Sequence, residues 1–220
     1  MDPPVRPSWV PSHPQMAEAP RRARRGFRRL YAAETFSPHG DYASAEAMLI
    51  RREQTGDVDV VQAIVAAAFA RPNTPQQVPV EVALLGELRA DKSWLPALSL
   101  VAADPVSGEA VGHVVCTRGT IDVSPVLALG PLAVRPDWQR RGVGTALMHA
   151  VLGAADALDE RLVGLLGNPE YYARYGFRAS SEYGILPPNP QWGKHFQVRT
   201  LSAYRPMPGT FTYPEPFNEL

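Results

Sequence analysis

The six residues QRRGVG at 139–144 constrain the fold more than any other part of the 220-residue sequence. They stand between a β-prone run, VLALGPLAV at 126–134, and an apolar helical run with Val143, Leu147 and Val151 at intervals of four. Such a turn offers unpaired backbone N–H groups at a helix start, glycines that permit close approach, and two arginines that add positive charge. Proteins usually hold phosphate groups with this combination, so the sequence predicts a phosphate-binding loop between a strand and a helix.

Two common phosphate-binding loops do not fit these residues. A P-loop requires a lysine directly after its second glycine, and no lysine follows Gly142 or Gly144. A dinucleotide-binding loop requires a third glycine where this chain has Leu147, and it belongs to repeated βαβ units that the flanking pattern lacks. The loop therefore binds another phosphate ligand, or it is an ordinary helix start.

The composition is that of a soluble globular protein, with 45% hydrophobic and 20% charged residues and a formal net charge of zero. The charge balance gives no indication of a nucleic-acid or anionic-membrane partner. We find no apolar run of 18 residues, so we expect no transmembrane helix and a cytoplasmic protein. Cys116 is the only cysteine, which excludes an intrachain disulfide and a cysteine-based zinc site, and its VVCT context predicts a core position.

The chain divides into an extension and one folded domain. Residues 1–46 are rich in proline and place six arginines between positions 21 and 29, which predicts a disordered N-terminal extension. An alternative for this extension is an arm that binds nucleic acid. Residues 47–220 show the patterns of strand, two helices, three strands, helix, strand, short helix and closing strands. This order predicts a mixed α/β (α+β) domain without regular βαβ repetition.

Two local features of the domain have a structural explanation. Gly130-Pro131 interrupts a strand, and because proline cannot donate to a ladder we expect a bulge there. In NPEYYARYGF at 168–177, Asn168 is a predicted N-cap, Pro169 stands at the first helical position, and Gly176 ends the helix.

Together these motifs resemble those of the GNAT superfamily of acyltransferases. The run from LGPLAV to QRRGVG resembles the superfamily's acetyl-CoA motif Q/R-x-x-G-x-G/A, and LLGNPEYYARYGF resembles its later strand, short helix and Y-x-x-x-G-F ending. LGPLAV, LLG-x-PEYY and the late YPEPF are similar to a bacterial branch of uncharacterised N-acetyltransferases. The resemblance covers residues 47–220.

The resemblance implies a fold and a cosubstrate. The fold is a mixed, mostly antiparallel sheet with a splayed strand pair and flanking helices. The cosubstrate is acetyl-CoA, without a metal, and the acceptor is a small-molecule or peptide amine. Leu132, Ala133 and Val134 would lie along the pantetheine arm. The residues implied at the pyrophosphate and the adjoining CoA arm are Gln139, Arg140, Arg141, Gly142, Val143, Gly144, Thr145 and Asn168.

The resemblance also implies the chemistry of direct acetyl transfer to an amine. Tyr172 matches the tyrosine that protonates the departing thiolate, with Tyr171 and Tyr175 as rivals. For the general base, His113, Glu81 and Asp122 are candidates. A water chain, or an amine that arrives neutral, would require no side-chain base.

Several alternatives remain open from the sequence. The protein could transfer another acyl group, or it could transfer to an alcohol. It could also be a non-catalytic module that binds CoA or regulates another protein. In the superfamily, the connection that corresponds to residues 71–79 and the late strands shape the acceptor pocket. The segment with Trp192 and Phe196 is either part of the pocket wall or a surface loop, and a homodimer through sheet edges is left open. The remaining histidines make no metal-ligand pattern.

Overall fold

A mixed sheet of nine strands forms the frame of the described part of the chain, which is residues 48–70 and 77–219 of a computed structural model. The predicted extension at 1–46 and most of the Pro-rich connection lie outside these residues. The elements are β1 (Leu49–Arg52), α1 (Val58–Phe69), α2 (Val80–Ala90), β2 (Ser99–Ala103), β3 (Ala110–Ile121), β4 (Ser124–Val134), α3 (Val143–Ala157), β5 (Leu162–Leu166), α4 (Pro169–Tyr172), β6 (Arg178–Ala179), β7 (Ile185–Leu186), β8 (Phe196–Thr200) and β9 (Gly209–Thr212).

The strand order is β1-β2-β3-β4-β5-β8-β6, and β9 pairs with both β3 and β7. Most neighbours are antiparallel, whereas β4 and β5 run parallel because α3 connects them as a crossover. The predicted class, a mostly antiparallel mixed sheet with flanking helices, is confirmed.

The interruption at Gly130-Pro131 is a β-bulge, as expected. Val114 pairs with Leu132 and Cys116 pairs with Leu129, so β4 contains one residue more than β3 between these pairs. A bulge in an otherwise regular ladder changes the course of the strand beyond it.

Beyond this point β4 and β5 separate. Their only paired residues are Leu127 with Val163 and Ala128 with Gly164, although both strands continue. We call the gap between residues 129–134 of β4 and residues 165–167, at the end of β5 and directly after it, the β4–β5 opening. The predicted splayed strand pair is thus present, and its inner edges carry backbone groups that do not pair with each other.

The two faces of the sheet carry separate apolar clusters. On one face, Val143, Leu147 and Val151 of α3 pack on β2–β5. On the other, α1 covers β3 and β4, while Leu84 and Leu88 of α2 pack on a cluster rich in aromatic rings from the C-terminal strands.

The C-terminal region differs from the sequence-based expectation in detail. The two-residue strands β6 and β7 were not predicted, because elements this short show no periodicity. The YPEPF run does not continue a strand. Its two prolines cannot donate to a ladder, so the run leaves the sheet. It forms a 3₁₀ turn that starts at Glu215 and packs beside α2.

Candidate acetyl-donor site

The start of α3 has the backbone geometry of an anion-binding turn. Gly142 precedes the helix with φ 85° and ψ −4°, a left-handed conformation. The first helical hydrogen bond runs from the Ala146 N–H to the Gly142 carbonyl, 2.9 Å, so the N–H groups of Val143, Gly144 and Thr145 have no partner within the helix. An added Cβ at Gly142 would meet nothing within 4 Å, so the backbone conformation alone accounts for the glycine.

The loop before α3 presents positive charge to solvent. Arg140, with φ 61°, and Arg141 are both exposed, and the Arg141 guanidinium lies 5.4 Å from the centre of the Trp138 ring. Gln139 holds the loop to the preceding strand, because its amide donates to the Val134 carbonyl at 3.0 Å. The predicted loop residues are therefore brought together around one helix start.

Strand β4 directs alternate backbone amides into the β4–β5 opening. The Arg135 N–H donates to the Val111 carbonyl of β3 at 2.9 Å. Antiparallel pairs alternate between bonded and non-bonded, so Ala133 bonds to His113 while the amides of Leu132 and Val134 point away from β3. The opening thus has a row of donors at the spacing of an added strand. Ala133 turns its methyl group to the core beneath α1.

Two tyrosines from the α4 region, Tyr171 and Tyr175, lie beside the start of α3. The Tyr175 hydroxyl lies 3.0 Å from the Thr145 hydroxyl and 3.5 Å from that of Tyr171. The Tyr171 hydroxyl lies 3.1 Å from the position of a Cβ on Gly144. Tyr171 and Tyr175 are therefore at the start of α3, beside the amides that have no partner within the helix.

Tyr172 occupies a different place, at the end of β5. Its ring edge fills the space that a side chain on Gly167 would need, and it packs on the same apolar cluster as α3. Burial, together with the neighbouring Tyr175, raises the pKa of Tyr172, so its hydroxyl stays protonated near neutral pH. Of the three rivals, Tyr172 is the one beside the β4–β5 opening.

Asn168 has the capping role that the sequence predicts. Its side-chain oxygen accepts the Glu170 N–H at 3.0 Å, with Pro169 at the first helical position. Gly176 ends this segment in a left-handed conformation, φ 82°. The contact of Asn168 with the CoA arm stays a prediction.

His113 lies in a buried polar cluster that the sequence did not reveal. It is fully buried, and its Nε2 lies 2.9 Å from the Ser99 hydroxyl and 3.2 Å from Glu53 Oε2. Arg89 of α2 contacts the other oxygen of Glu53 at 2.5 Å. Nothing in the spacing of these four residues along the chain signals the cluster, since they come from separate elements.

The cluster of His113, Ser99, Glu53 and Arg89 has the geometry of a structural cluster and not of a catalytic triad. Burial lowers the pKa of His113 and outweighs the opposing effect of Glu53, so the imidazole is neutral. Burial opposes ionisation of Glu53, but hydrogen bonds from His113 and Ser99 and the charge of Arg89 together hold its pKa below the ordinary value. Ser99 and Glu53 meet the same imidazole nitrogen, whereas a nucleophilic triad needs the acid on the other one.

The two carboxylate candidates for the base lie on different elements. Asp122 sits in the β3–β4 turn, at the opposite end of β4 from the bulge, and accepts the Thr210 N–H at 2.9 Å. Glu81 is 3% exposed in the first turn of α2, on the helix face that carries Leu84 and Leu88 toward the aromatic cluster. Glu81 is thus the predicted base candidate on the side of the sheet where the C-terminal segment packs.

Cys116 lies inside β3, as predicted, and is fully buried. Burial raises the pKa of its thiol, which therefore stays protonated and inert. Within residues 48–70 and 77–219, no group of three or more His, Cys, Asp or Glu side chains is placed to hold a metal ion. None of the helices in those residues is long and apolar enough to cross a membrane.

Comparison with known proteins assigns this fold to a family. Residues 96–179, from before β2 to the end of β6, match the profile of the acetyltransferase (GNAT) domain. The chain is 34% identical over 137 residues to "uncharacterized N-acetyltransferase YjhQ" of Escherichia coli K12, which is 60% of this chain and 75% of that protein. The chain belongs to the GNAT family of N-acetyltransferases, and is an acyltransferase.

Solved structures agree with this assignment. The crystal structure of the Escherichia coli GNAT family N-acetyltransferase YhbS in complex with CoA superposes with a TM-score of 0.69, at 25% identity, over 78% of this chain and 92% of that one. A GNAT family acetyltransferase from Brucella melitensis in complex with acetyl-CoA gives 0.63, at 27% identity, over 78% of this chain and 99% of that one. The first of these structures contains CoA, and the second contains acetyl-CoA.

Proposed function

We propose that this protein transfers the acetyl group of acetyl-CoA directly to a primary amine of an acceptor. The observation that carries the proposal is the continuity of two features: the free amides at the start of α3 and the inward amides of Leu132 and Val134 along β4. The first suits a pyrophosphate, and the second suits an amide-containing arm that lies like an added strand. CoA contains both groups in this order.

In this proposal each predicted residue has a physical role. Gly142, Val143, Gly144 and Thr145 supply backbone donors to the pyrophosphate, and Arg140 and Arg141 add charge-assisted bonds. Gln139 fixes the loop against β4. Asn168 caps α4 and keeps it in place beside the β4–β5 opening. Ala133 supports β4 between the two donating residues, Leu132 and Val134.

Tyr172 is the proposed proton donor to the departing thiolate. It stands where the two strands separate, and its raised pKa keeps the proton available until sulfur charge develops. Tyr171 and Tyr175 lie nearer the amides at the start of α3, so we assign them to the pyrophosphate end of the proposed acetyl-CoA site.

Direct transfer is favoured because the chain offers no thiol for a covalent intermediate. The single cysteine is fully buried and its pKa is raised. A lone reduced cysteine also fits a cytoplasmic protein.

The proposal is tested by incubating the full chain with acetyl-CoA and a panel of primary amines that includes amino acids, polyamines and peptide N-termini. We expect release of the CoA thiol together with an acetylated amine, and an enzyme mass that acetyl-CoA alone leaves unchanged. Cys116→Ala should retain the activity. An acetylated enzyme that passes its acetyl group to the amine would contradict direct transfer.

A further inference from the structure

Residues 168–177, which we call the α4 segment, are held against the start of α3 by a cluster of hydroxyl groups. The Tyr175 hydroxyl lies 3.0 Å from the Thr145 hydroxyl, and Tyr175 as a whole is only 2% exposed. The Tyr171 hydroxyl lies 3.1 Å from the position of a Cβ on Gly144, so the glycine leaves room for this hydroxyl. These contacts fix the α4 segment relative to the unpaired amides of α3.

Arg174 lies between these two tyrosines in the chain, and its side chain packs on the ring of Tyr171. The guanidinium carbon is 5.1 Å from the ring centre, which is the distance of a cation–π contact. Arg174 is exposed, and no carboxylate in residues 48–70 and 77–219 lies within ion-pair distance of it. The Tyr171 ring thus holds a charged group that is open to solvent and has no anionic partner among those residues.

The two arginines that follow Arg174 in the chain are engaged within the protein. The Arg178 guanidinium is 3.5 Å from the Glu182 carboxylate, and the Arg199 guanidinium donates to the Tyr175 carbonyl. Of these three arginines, Arg174 is the one without a hydrogen bond or ion pair to the described residues. Its charge is therefore available to a ligand.

The start of α3 has enough groups for one pyrophosphate without Arg174. Its three unpaired N–H groups are joined by the charges of Arg140 and Arg141, which directly precede them in the chain. These two arginines belong to the loop before the helix, whereas Arg174 comes from the α4 segment, whose Tyr171 contacts the position of Gly144. A further positive group on a second element beside the same turn indicates a second anionic group on the ligand.

We propose that Arg174 binds the 3′-phosphate of CoA, and that through this contact the protein distinguishes CoA from its 3′-dephospho form. The inference rests on the proposed function, because that function places the CoA pyrophosphate on the turn. In CoA the ribose next to the pyrophosphate carries the 3′-phosphate, on the side away from the pantetheine arm. The pantetheine arm extends into the β4–β5 opening, so the ribose lies at the outer side of the turn, where Arg174 is exposed.

A guanidinium suits this phosphate. A phosphate monoester is mostly dianionic near neutral pH, since its second pKa is about 6, and a planar guanidinium can donate two parallel N–H bonds to its oxygens. Because the Tyr171 ring already restricts the Arg174 side chain, less rotamer freedom is lost on binding. Because Arg174 is exposed, the contact should weaken as salt is added.

The test is calorimetric titration of the full chain with CoA and with 3′-dephospho-CoA, at low salt, for wild type, Arg174→Gln and Arg178→Gln. The two ligands differ only by the phosphate that is assigned to Arg174. We expect wild type to bind CoA about tenfold more tightly than 3′-dephospho-CoA, the equivalent of one charge-assisted hydrogen bond. Arg174→Gln should bind both ligands with the wild-type affinity for 3′-dephospho-CoA, and this retained affinity shows that the variant is folded.

Arg178→Gln is the matched control, because it removes the same charge from an exposed position nearby, where the arginine is paired with Glu182. It should keep the preference of wild type for CoA. The assignment would be overturned by an Arg174→Gln variant that retains the preference or loses affinity for both ligands by the same factor. It would also be overturned by a wild type that binds both ligands equally, or by a control that loses the preference. A wild type that binds neither ligand would instead refute the proposed function itself.

Discussion

Two glycines, one at the start of α3 and one in its interior, should have opposite effects on stability when each is replaced by alanine. Gly142 precedes the helix with φ 85°, whereas Gly153 is an exposed residue of its interior. A Cβ at either position would meet no atom within 4 Å, so packing does not distinguish them. The difference lies in the backbone alone.

The magnitudes follow from that backbone. A left-handed conformation costs a non-glycine residue about 1–2 kcal/mol, so Gly142→Ala should destabilise by that amount. Alanine in a helix interior is favoured over glycine by about 0.8–1.0 kcal/mol, so Gly153→Ala should stabilise. The two variants should differ by about 2 to 3 kcal/mol, or roughly 4 to 12 °C in Tm for a protein of this size.

The assay is urea unfolding of both variants beside wild type, followed by calorimetric titration with acetyl-CoA. Gly142→Ala should weaken acetyl-CoA binding about tenfold, the equivalent of one charge-assisted hydrogen bond lost from the turn. Gly153→Ala should bind like wild type. Equal stabilities, or an unchanged affinity in Gly142→Ala, would refute the argument that this turn is shaped for an anion.

Three further substitutions test the surroundings of the site. Glu53→Gln should cost about 2 to 3 kcal/mol at pH 7, since it breaks a buried pair. Because folding lowers the pKa of Glu53 below its ordinary 4.5, this deficit should be complete above pH 4.5 and shrink as the pH falls further in urea unfolding, and a deficit that grows on acidification would contradict it. Gly164→Ala places a Cβ 2.5 Å from the Phe211 ring and should lower stability by about 1–3 kcal/mol, so a neutral result would show that the ring moves freely. Asn168→Ala removes the bond to the Glu170 N–H and should lower the free energy of unfolding by about 1 kcal/mol, with no loss expected for Asn168→Asp.

Local chemistry made much of the fold predictable from the sequence. The bulge at Gly130-Pro131, the helix start at Gly142 and the cap at Asn168 depend on residues adjacent in the chain, and each lies where the sequence indicated. The two-residue strands β6 and β7 depend instead on partners far along the chain, so no local pattern revealed them.

The candidate site likewise has a part that the sequence predicted and a part that it did not. The loop residues are consecutive, and the sequence could group them. The cluster of Glu53, His113 and Ser99 joins residues from separate elements of the chain. Only the topology of the sheet brings such residues together, and for this reason the sequence left the base unassigned.

The central claim is that the start of α3 holds the pyrophosphate of acetyl-CoA. Its most direct test is calorimetric titration of the full chain with acetyl-CoA, beside the double variant Arg141→Glu, Gly142→Asp and the control Arg205→Glu, a charge reversal in the exposed loop before β9. We expect one molecule of acetyl-CoA to bind to wild type and to the control, and none to the double variant at the same concentrations. A folded wild type that does not bind acetyl-CoA, or a double variant that binds it equally well, would contradict the account.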